Sequence, residues 1–183
     1  MTTATDPLLR FRDEFPILAT STYLVSNSLG AMPRTVPDQL RHYTDAWQTR
    51  GVRAWAEGWW ELPVTMGSRI APLIGAPEGS VVMVPTVTMG MSTILTALDY
   101  PAGRNEVVMT ALDFPSVKYA YEALAPRLGA RIVEVPSDDG LGIDIERLLS
   151  NITEHTRLVA ISHVLFRSAY ILDAARICAR ARE

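Results

Sequence analysis

Four short stretches of this chain hold residue types able to bind a ligand or react with one. Thr86-Val87-Thr88 lies where an apolar run gives way to a helical pattern. Backbone N–H groups at a helix start, with threonine hydroxyls beside them, form a ready phosphate site. Threonine also caps helices with no ligand involved, and Thr88 fits that plain use. Phe114-Pro115-Ser116 follows a second apolar run. An aromatic ring at a strand end can lie on a flat cofactor, or it fills core while Pro115 opens a helix. Ser162-His163 closes a third apolar run. A hydroxyl or imidazole there can meet a ligand's polar edge, or simply make a turn. Asn27-Ser28-Leu29-Gly30 reads as a tight turn with two polar side chains. Taken singly, each stretch favours its structural use.

Other chemistries find less support. His42, His155 and His163 show no metal-ligand spacing, and Cys178 is the only cysteine. No metal site and no intrachain disulfide are therefore predicted. No Ser/His/Asp triad assembles, and neither a Walker pattern nor Gly-x-Gly-x-x-Gly occurs, so a dinucleotide-binding module is a distant reading. The formal charge of -3 gives no electrostatic case for nucleic acid or an anionic membrane as partner. The 183 residues are 48% hydrophobic and 20% charged, enough apolar material for a core and unlike a disordered chain. The polar stretch Met1 to Pro7 lacks the apolar centre of a secretory signal. No apolar run approaches the roughly 18 residues that span a bilayer. A reducing cytoplasm is the expected compartment, and the sequon Asn151-Ile152-Thr153 is then a chance match.

The elements that must position these residues follow from periodicity. Phe11 to Phe15 reads as a charged-aromatic arm and Thr22 to Val25 as a short strand. Leu40, Tyr43 and Trp47 recur at helical steps within Val36 to Thr49. Trp55, Trp59 and Trp60 are dense enough to wall an aromatic pocket, or to sit in a core or a subunit interface. Helices are predicted from Val64 to Ile74 with Gly75 as the stop, from Met89 to Leu98, and from Val117 to Leu128 with Gly129 as the cap. A short helix starts at Asp144, and a last one runs from Asp173 to the end. Buried strands are predicted at Val81 to Val84, Glu106 to Thr110, Arg131 to Val135 and Leu158 to Ile161. Alternating strands and helices give an α/β fold with a mostly parallel sheet and flanking helices. Ligands of such sheets bind beyond the carboxyl ends of the strands. Thr86–Thr88, Phe114 and Ser162 fall there.

The joint order of the motifs is more specific than any one of them. Asn27-Ser28-Leu29-Gly30, then Gly51-Val52-Arg53-Ala54-Trp55 with Trp59-Trp60, then the turn Asp113-Phe114-Pro115-Ser116 and Ser162-His163-Val164, resembles the kynureninase branch of the class V aminotransferase-like enzymes. The resemblance covers most of residues 22 to 183. It implies the type I pyridoxal-phosphate (PLP) fold. Residues 1–61 would form an N-terminal arm and helical segment, and 62–183 the first part of the PLP-binding large domain. Carried onto matching positions, Val87 and Thr88 would hold the cofactor phosphate and Phe114 would stack on its ring. Ser116 and Ser162 would contact the cofactor, with Asn27 and Ser28 near a small amino-acid substrate. Homodimers with sites at the subunit interface are also implied.

Two departures qualify what the resemblance implies. Val117 stands where kynureninases carry Asp, which favours a related subgroup. Lys118 is the only lysine and does not stand where the family keeps its Schiff-base lysine. That lysine, and the Asp that pairs with the pyridinium nitrogen, would lie beyond residue 183. The segment is then expected to be inactive alone, and Val81 to Val84 would lack sheet neighbours. The implied reaction is hydrolytic Cβ–Cγ cleavage of an amino acid. Its rivals are another class V reaction (transamination, desulfuration or epimerisation) and a non-catalytic fragment that pairs with another chain.

Overall fold

Glu106-Val-Val-Met-Thr110 forms strand β1 (Glu106–Thr110), and all five residues are buried. Burial on both faces is what a central parallel strand demands. A computed structural model describes residues 6–183. It flanks β1 with β2 (Arg131–Val135) and β3 (Thr156–Val159), in the order β2-β1-β3, with both pairs parallel. Glu106 stands opposite Arg131 and Thr110 opposite Val135, and the first of these facing pairs forms an ion pair. On the other side the register shifts between Glu106 and Val107.

The helices, in chain order, are α1 (Val36–Arg50), α2 (Leu62–Ile70), α3 (Val87–Thr96), α4 (Pro115–Leu124), α5 (Ile145–Ser150) and α6 (Ala174–Arg182). The chain divides into two compact units, one reaching Met83 and one from Val84 onward. In the second unit the pleat of β1 sorts its side chains between two cores. Val107 and Met109 pack with Leu95 of α3 and Tyr121 of α4. Val108 packs with Leu148 of α5 and Ile177 of α6. The sheet is therefore sandwiched, α3 and α4 on one face and α5 and α6 on the other. Each fully buried Leu or Val contributes about 1.5–3 kcal/mol.

Helix ends follow local chemistry. Asp144 and Asp173 accept backbone N–H groups of α5 and α6 as N-caps. Pro72 and Pro126 lack an amide hydrogen, and the helices there tighten into 3-10 turns over Ala71–Ile74 and Ala125–Leu128. Gly75 and Gly129 then take left-handed backbone, as their C-cap role requires.

In the first unit, Pro7–Glu14 is a 3-10 helix and Trp55–Trp59 a single π turn, with Gly58 at φ 127°. Tyr43 of α1 stacks on Trp59 at 4.8 Å, and Trp55 meets both Trp59 and Trp60. The tryptophans thus pack on one another, with Trp47 and Trp60 largely exposed. No helix among the described residues is long and apolar enough to cross a membrane.

Two predicted strands are absent. Thr22 to Val25 is irregular, with Leu24 exposed. Val81 to Val84 joins no ladder among the described residues. It is instead tied to α2: Met83 donates its N–H to Pro63 O at 3.1 Å. The Val81 carbonyl lies where a Cβ on Gly67 would come within 1.9 Å of it, so only glycine permits this approach. The third strand begins two residues earlier than its apolar run suggested, at Thr156, because pairing to β1 rather than hydrophobicity sets its limits.

Two positions carry measurable cost. The Tyr121 ring is fully buried, yet its hydroxyl has no hydrogen-bond partner among the described residues. Burial, with lesser contributions from Tyr100 and Asp113, pushes its pKa up to about 12. A phenol raised above its ordinary value stabilises the fold fully below about pH 10, and that contribution is lost as pH climbs through 12. Tyr121→Phe removes an unsatisfied group at nearly constant volume. It will raise stability by about 1 kcal/mol at neutral pH and flatten the alkaline decline, read from urea midpoints at pH 7 and pH 11. Ala169 has φ 57°, left-handed backbone in a non-glycine residue. It is held there by Leu165 N–H to Tyr170 O and Ala169 N–H to Leu165 O, both 2.9 Å. Ala169→Gly relieves the strain and will raise the thermal midpoint, by an equivalent of roughly 0.5–1 kcal/mol.

Candidate cofactor site

Helix α3 begins where Thr86 turns extended, and the Thr86 hydroxyl accepts the Met89 N–H at 3.1 Å. Thr86 is therefore the N-cap, and Thr88 is not. Freed from capping, Thr88 turns its hydroxyl to Ser116, with Oγ1 and Oγ 2.7 Å apart. Ser116 stands in the first turn of α4, behind Pro115, whose missing N–H costs nothing at a helix start. Two helix N-termini thus meet through a pair of hydroxyls. Each brings unpaired backbone N–H groups and the positive end of a helix dipole. Val87 opens α3 with its side chain largely exposed.

Phe114 precedes Pro115 and is 49% exposed. Its ring meets Phe166 edge-to-face, centroids 4.9 Å apart. Phe166 comes from the hairpin after β3, so the ring is braced from the side and still has open surface. Such pairs contribute about 0.5–1.5 kcal/mol beyond burial. Phe166 was not singled out in the sequence, since no periodicity connects positions 52 residues apart.

Ser162 follows β3 and is half-buried. Its N–H donates to Asp113 Oδ1 at 2.7 Å. The other oxygen of Asp113 accepts the Thr110 N–H at 2.8 Å and the Thr110 hydroxyl at 2.9 Å. The neighbouring residue His163 is exposed and takes part through its backbone, accepting Leu172 N–H at 2.9 Å. The structure therefore gathers Thr88, Ser116, Phe114 and Ser162 at the carboxyl edge of the sheet, in agreement with the rule for open α/β folds. Asn27 and Ser28 belong to the N-terminal unit, in a turn closed by Ser28 N–H to Val25 O at 2.9 Å and by the Tyr23 hydroxyl donating to Leu29 O.

Lys118 is one turn into α4, but its ammonium pairs with Glu134 of β2. The hydrogen bond to Glu134 raises its pKa above the ordinary lysine value, and burial only partly opposes this. The side chain is therefore a protonated partner of a carboxylate rather than a free amine. Among the described residues no cluster of three or more His, Cys, Asp or Glu could hold a metal ion.

The hydroxyl pair, the two helix starts and the open aromatic face suit an anionic, planar ligand. The Asp113 carboxylate is buried, with both oxygens turned to donors of Thr110 and Ser162. Known proteins of matching sequence and shape bear on this. Kynureninase of Shouchella clausii (strain KSM-K16) is 30% identical over 188 residues, spanning 98% of this chain and 44% of the relative. The chain thus covers less than half the length of the curated relatives it matches. Its fold is similar to that of a C-DES mutant with glycine covalently linked to the PLP cofactor, at TM-score 0.79 and 24% identity over 93% of this chain and 45% of that one. It is also similar to the cysteine desulfurase CsdA from Escherichia coli, at TM-score 0.73 and 18% identity over 98% and 47%. The aminotransferase class-V family model matches residues 22–183, nearly the whole chain, and on that match the chain belongs to the aminotransferase class-V family.

Proposed function

We propose that this chain supplies the phosphate-binding and ring-stacking side of a PLP site in an enzyme that acts on a small amino acid. The observation that carries the reading is the 2.7 Å contact between Thr88 and Ser116 hydroxyls where two helices start. A phosphate needs several converging donors and no competing carboxylate. Thr88 and Ser116 offer both hydroxyls, and the first turns of α3 and α4, with Val87 at their head, offer backbone N–H groups. Phe114, braced by Phe166, presents an apolar face to a pyridine ring. Ser162, fixed by Asp113, would stand at the ring's polar edge. When bound, PLP draws electrons from the bonds at the amino acid's Cα. The residues of this chain bind and orient; none of them is proposed to move a proton.

Asn27 and Ser28 are proposed to contact substrate. The kynureninase relatives support a hydrolytic Cβ–Cγ cleavage. A second reading, another class V reaction such as desulfuration, is favoured by Val117, which is half-buried and packs on the α3–α4 core where kynureninases carry a carboxylate. A cytoplasmic homodimer is the proposed setting. The reactive amine is proposed to come from outside residues 1–183, because Lys118 is held protonated by Glu134. The chain by itself would then bind cofactor without turnover.

Absorbance titration of the intact protein with PLP tests the site. Thr88→Val and Ser116→Ala will each weaken uptake by about tenfold or more, since a hydrogen bond to a charged group contributes about 1.5–3 kcal/mol. Unchanged affinity in both would overturn the phosphate assignment. Borohydride reduction followed by peptide mapping tests the amine. The peptide bearing Lys118 will carry no pyridoxyl group, and Lys118→Met will bind PLP as the parent does. A pyridoxyl adduct on Lys118 would show instead that this lysine is the reactive one.

A further inference from the structure

Asp113 enters the sequence reading only as the first residue of the Asp113-Phe114-Pro115-Ser116 turn, with no role of its own, yet three donors converge on it. It is 6% exposed. Its Oδ2 accepts Thr110 N–H at 2.8 Å and Thr110 Oγ1–H at 2.9 Å, and its Oδ1 accepts Ser162 N–H at 2.7 Å. We infer that Asp113 is a positioning residue of the cofactor site. Its carboxylate ties the carboxyl end of β1 to the segment leaving β3, and so sets Phe114 and Ser116 against Ser162. This inference rests on the cofactor reading proposed above.

A purely local role for Asp113 does not account for the geometry. An aspartate that only shaped the β1–α4 turn would use one oxygen on Thr110 and leave the other to water. Here Oδ1 reaches a residue 49 positions away. The need for it lies in the ladder. Ala160 N–H is taken by Val108 O and Ala111 N–H by Val135 O. Thr110 and Ser162 N–H groups instead point into the space between the strand ends, and a buried N–H without an acceptor is costly. One carboxylate answers both, and because every contact is a donor, a group with acceptors alone is required. Asparagine has the same size but must turn an NH2 toward one of the donors. The next residue after Asp113 is Phe114, and Ser116 follows two later, so any rotation of this carboxylate moves the ring and the hydroxyl together.

The test uses the intact protein in four forms: the parent, Asp113→Asn, Thr110→Val and Leu148→Ala. Leu148 is fully buried in the core on the opposite face of the sheet, and its truncation lowers stability without touching the site. PLP affinity, the visible circular dichroism of bound PLP and hydrogen exchange at the Ser162 amide are measured for each. Asp113→Asn will weaken PLP uptake by about tenfold or more, alter the dichroic band and speed exchange at Ser162. Thr110→Val, which removes only the hydroxyl donor, will stay within about twofold of the parent. Leu148→Ala will melt lower with affinity and band unchanged. Parental affinity and band in Asp113→Asn would overturn the inference and leave the cofactor reading standing, and so would a matching loss in Leu148→Ala. A parent that takes up no PLP would sink the cofactor reading, and this inference with it. Should Asp113→Asn fail to fold, exchange at Ser162 in the parent decides: protection comparable to β1 supports the clamp, and rapid exchange refutes it.

Discussion

Two backbone N–H groups at the carboxyl edge of the sheet, those of Thr110 and Ser162, must find acceptors after the ladder has ended. A parallel sheet always faces this problem where its strands give way to loops, because the next strand no longer supplies carbonyls. In this protein one buried carboxylate, Asp113, resolves it for two strands at once. The loop that carries Asp113 also carries Phe114 and leads into α4. A constraint of backbone hydrogen bonding therefore sets where an aromatic ring and a helix start can lie. The site's geometry is a consequence of satisfying the sheet.

A similar economy governs the other half of the site. α3 needs a cap, and Thr86 supplies it with its own hydroxyl. Thr88 is thereby left to face Ser116 rather than its own backbone. The two helices that meet here also share the core on one face of the sheet, through Leu95 and Tyr121. Apolar packing sets their separation, and the first turns inherit it. Both dipoles then present positive ends to one place, which is unfavourable unless an anion is bound there. A site of this kind pairs a small electrostatic cost in the empty protein with a gain on loading.

Much of the second unit was legible in the sequence. β1 and β2 occupy their predicted limits, since the short β-branched, apolar-rich stretches around residues 107–109 and 132–135, set between turn residues, leave few alternatives. α5 and α6 start after Asp144 and Asp173, where cap chemistry announces them. What failed was what depends on partners. Val81 to Val84 has the composition of a strand, but a strand needs a ladder, and here Gly67 and Pro63 of α2 hold the segment instead. Of the site, Thr88 and Ser162 were marked by their place at strand ends, and Ser116 by the family resemblance. Asp113 was marked only as the opening residue of a turn, which is the local use an acidic residue after a strand signals. Its second contact crosses to β3, and no local pattern reveals a bond of that reach. Phe166 was hidden for the same reason.

The family membership and the chemistry of Lys118 then have to be weighed together. A helix that starts at the site places its first-turn side chains around the ligand and its next ones progressively away from it. Ser116 is in that first turn. Lys118, two residues on, emerges about 200° further around the axis, toward β2, and is met there by Glu134. The pairing is what the geometry of α4 imposes on a long cation beside an acidic strand residue, and it raises the ammonium's pKa rather than lowering it. An amine that is to attack a carbonyl needs the opposite treatment: desolvation or a neighbouring cation that lowers its pKa. The same helix therefore sets Ser116 beside Thr88 and turns its lysine to Glu134, so the groups proposed to hold a phosphate are separated from the chain's only lysine.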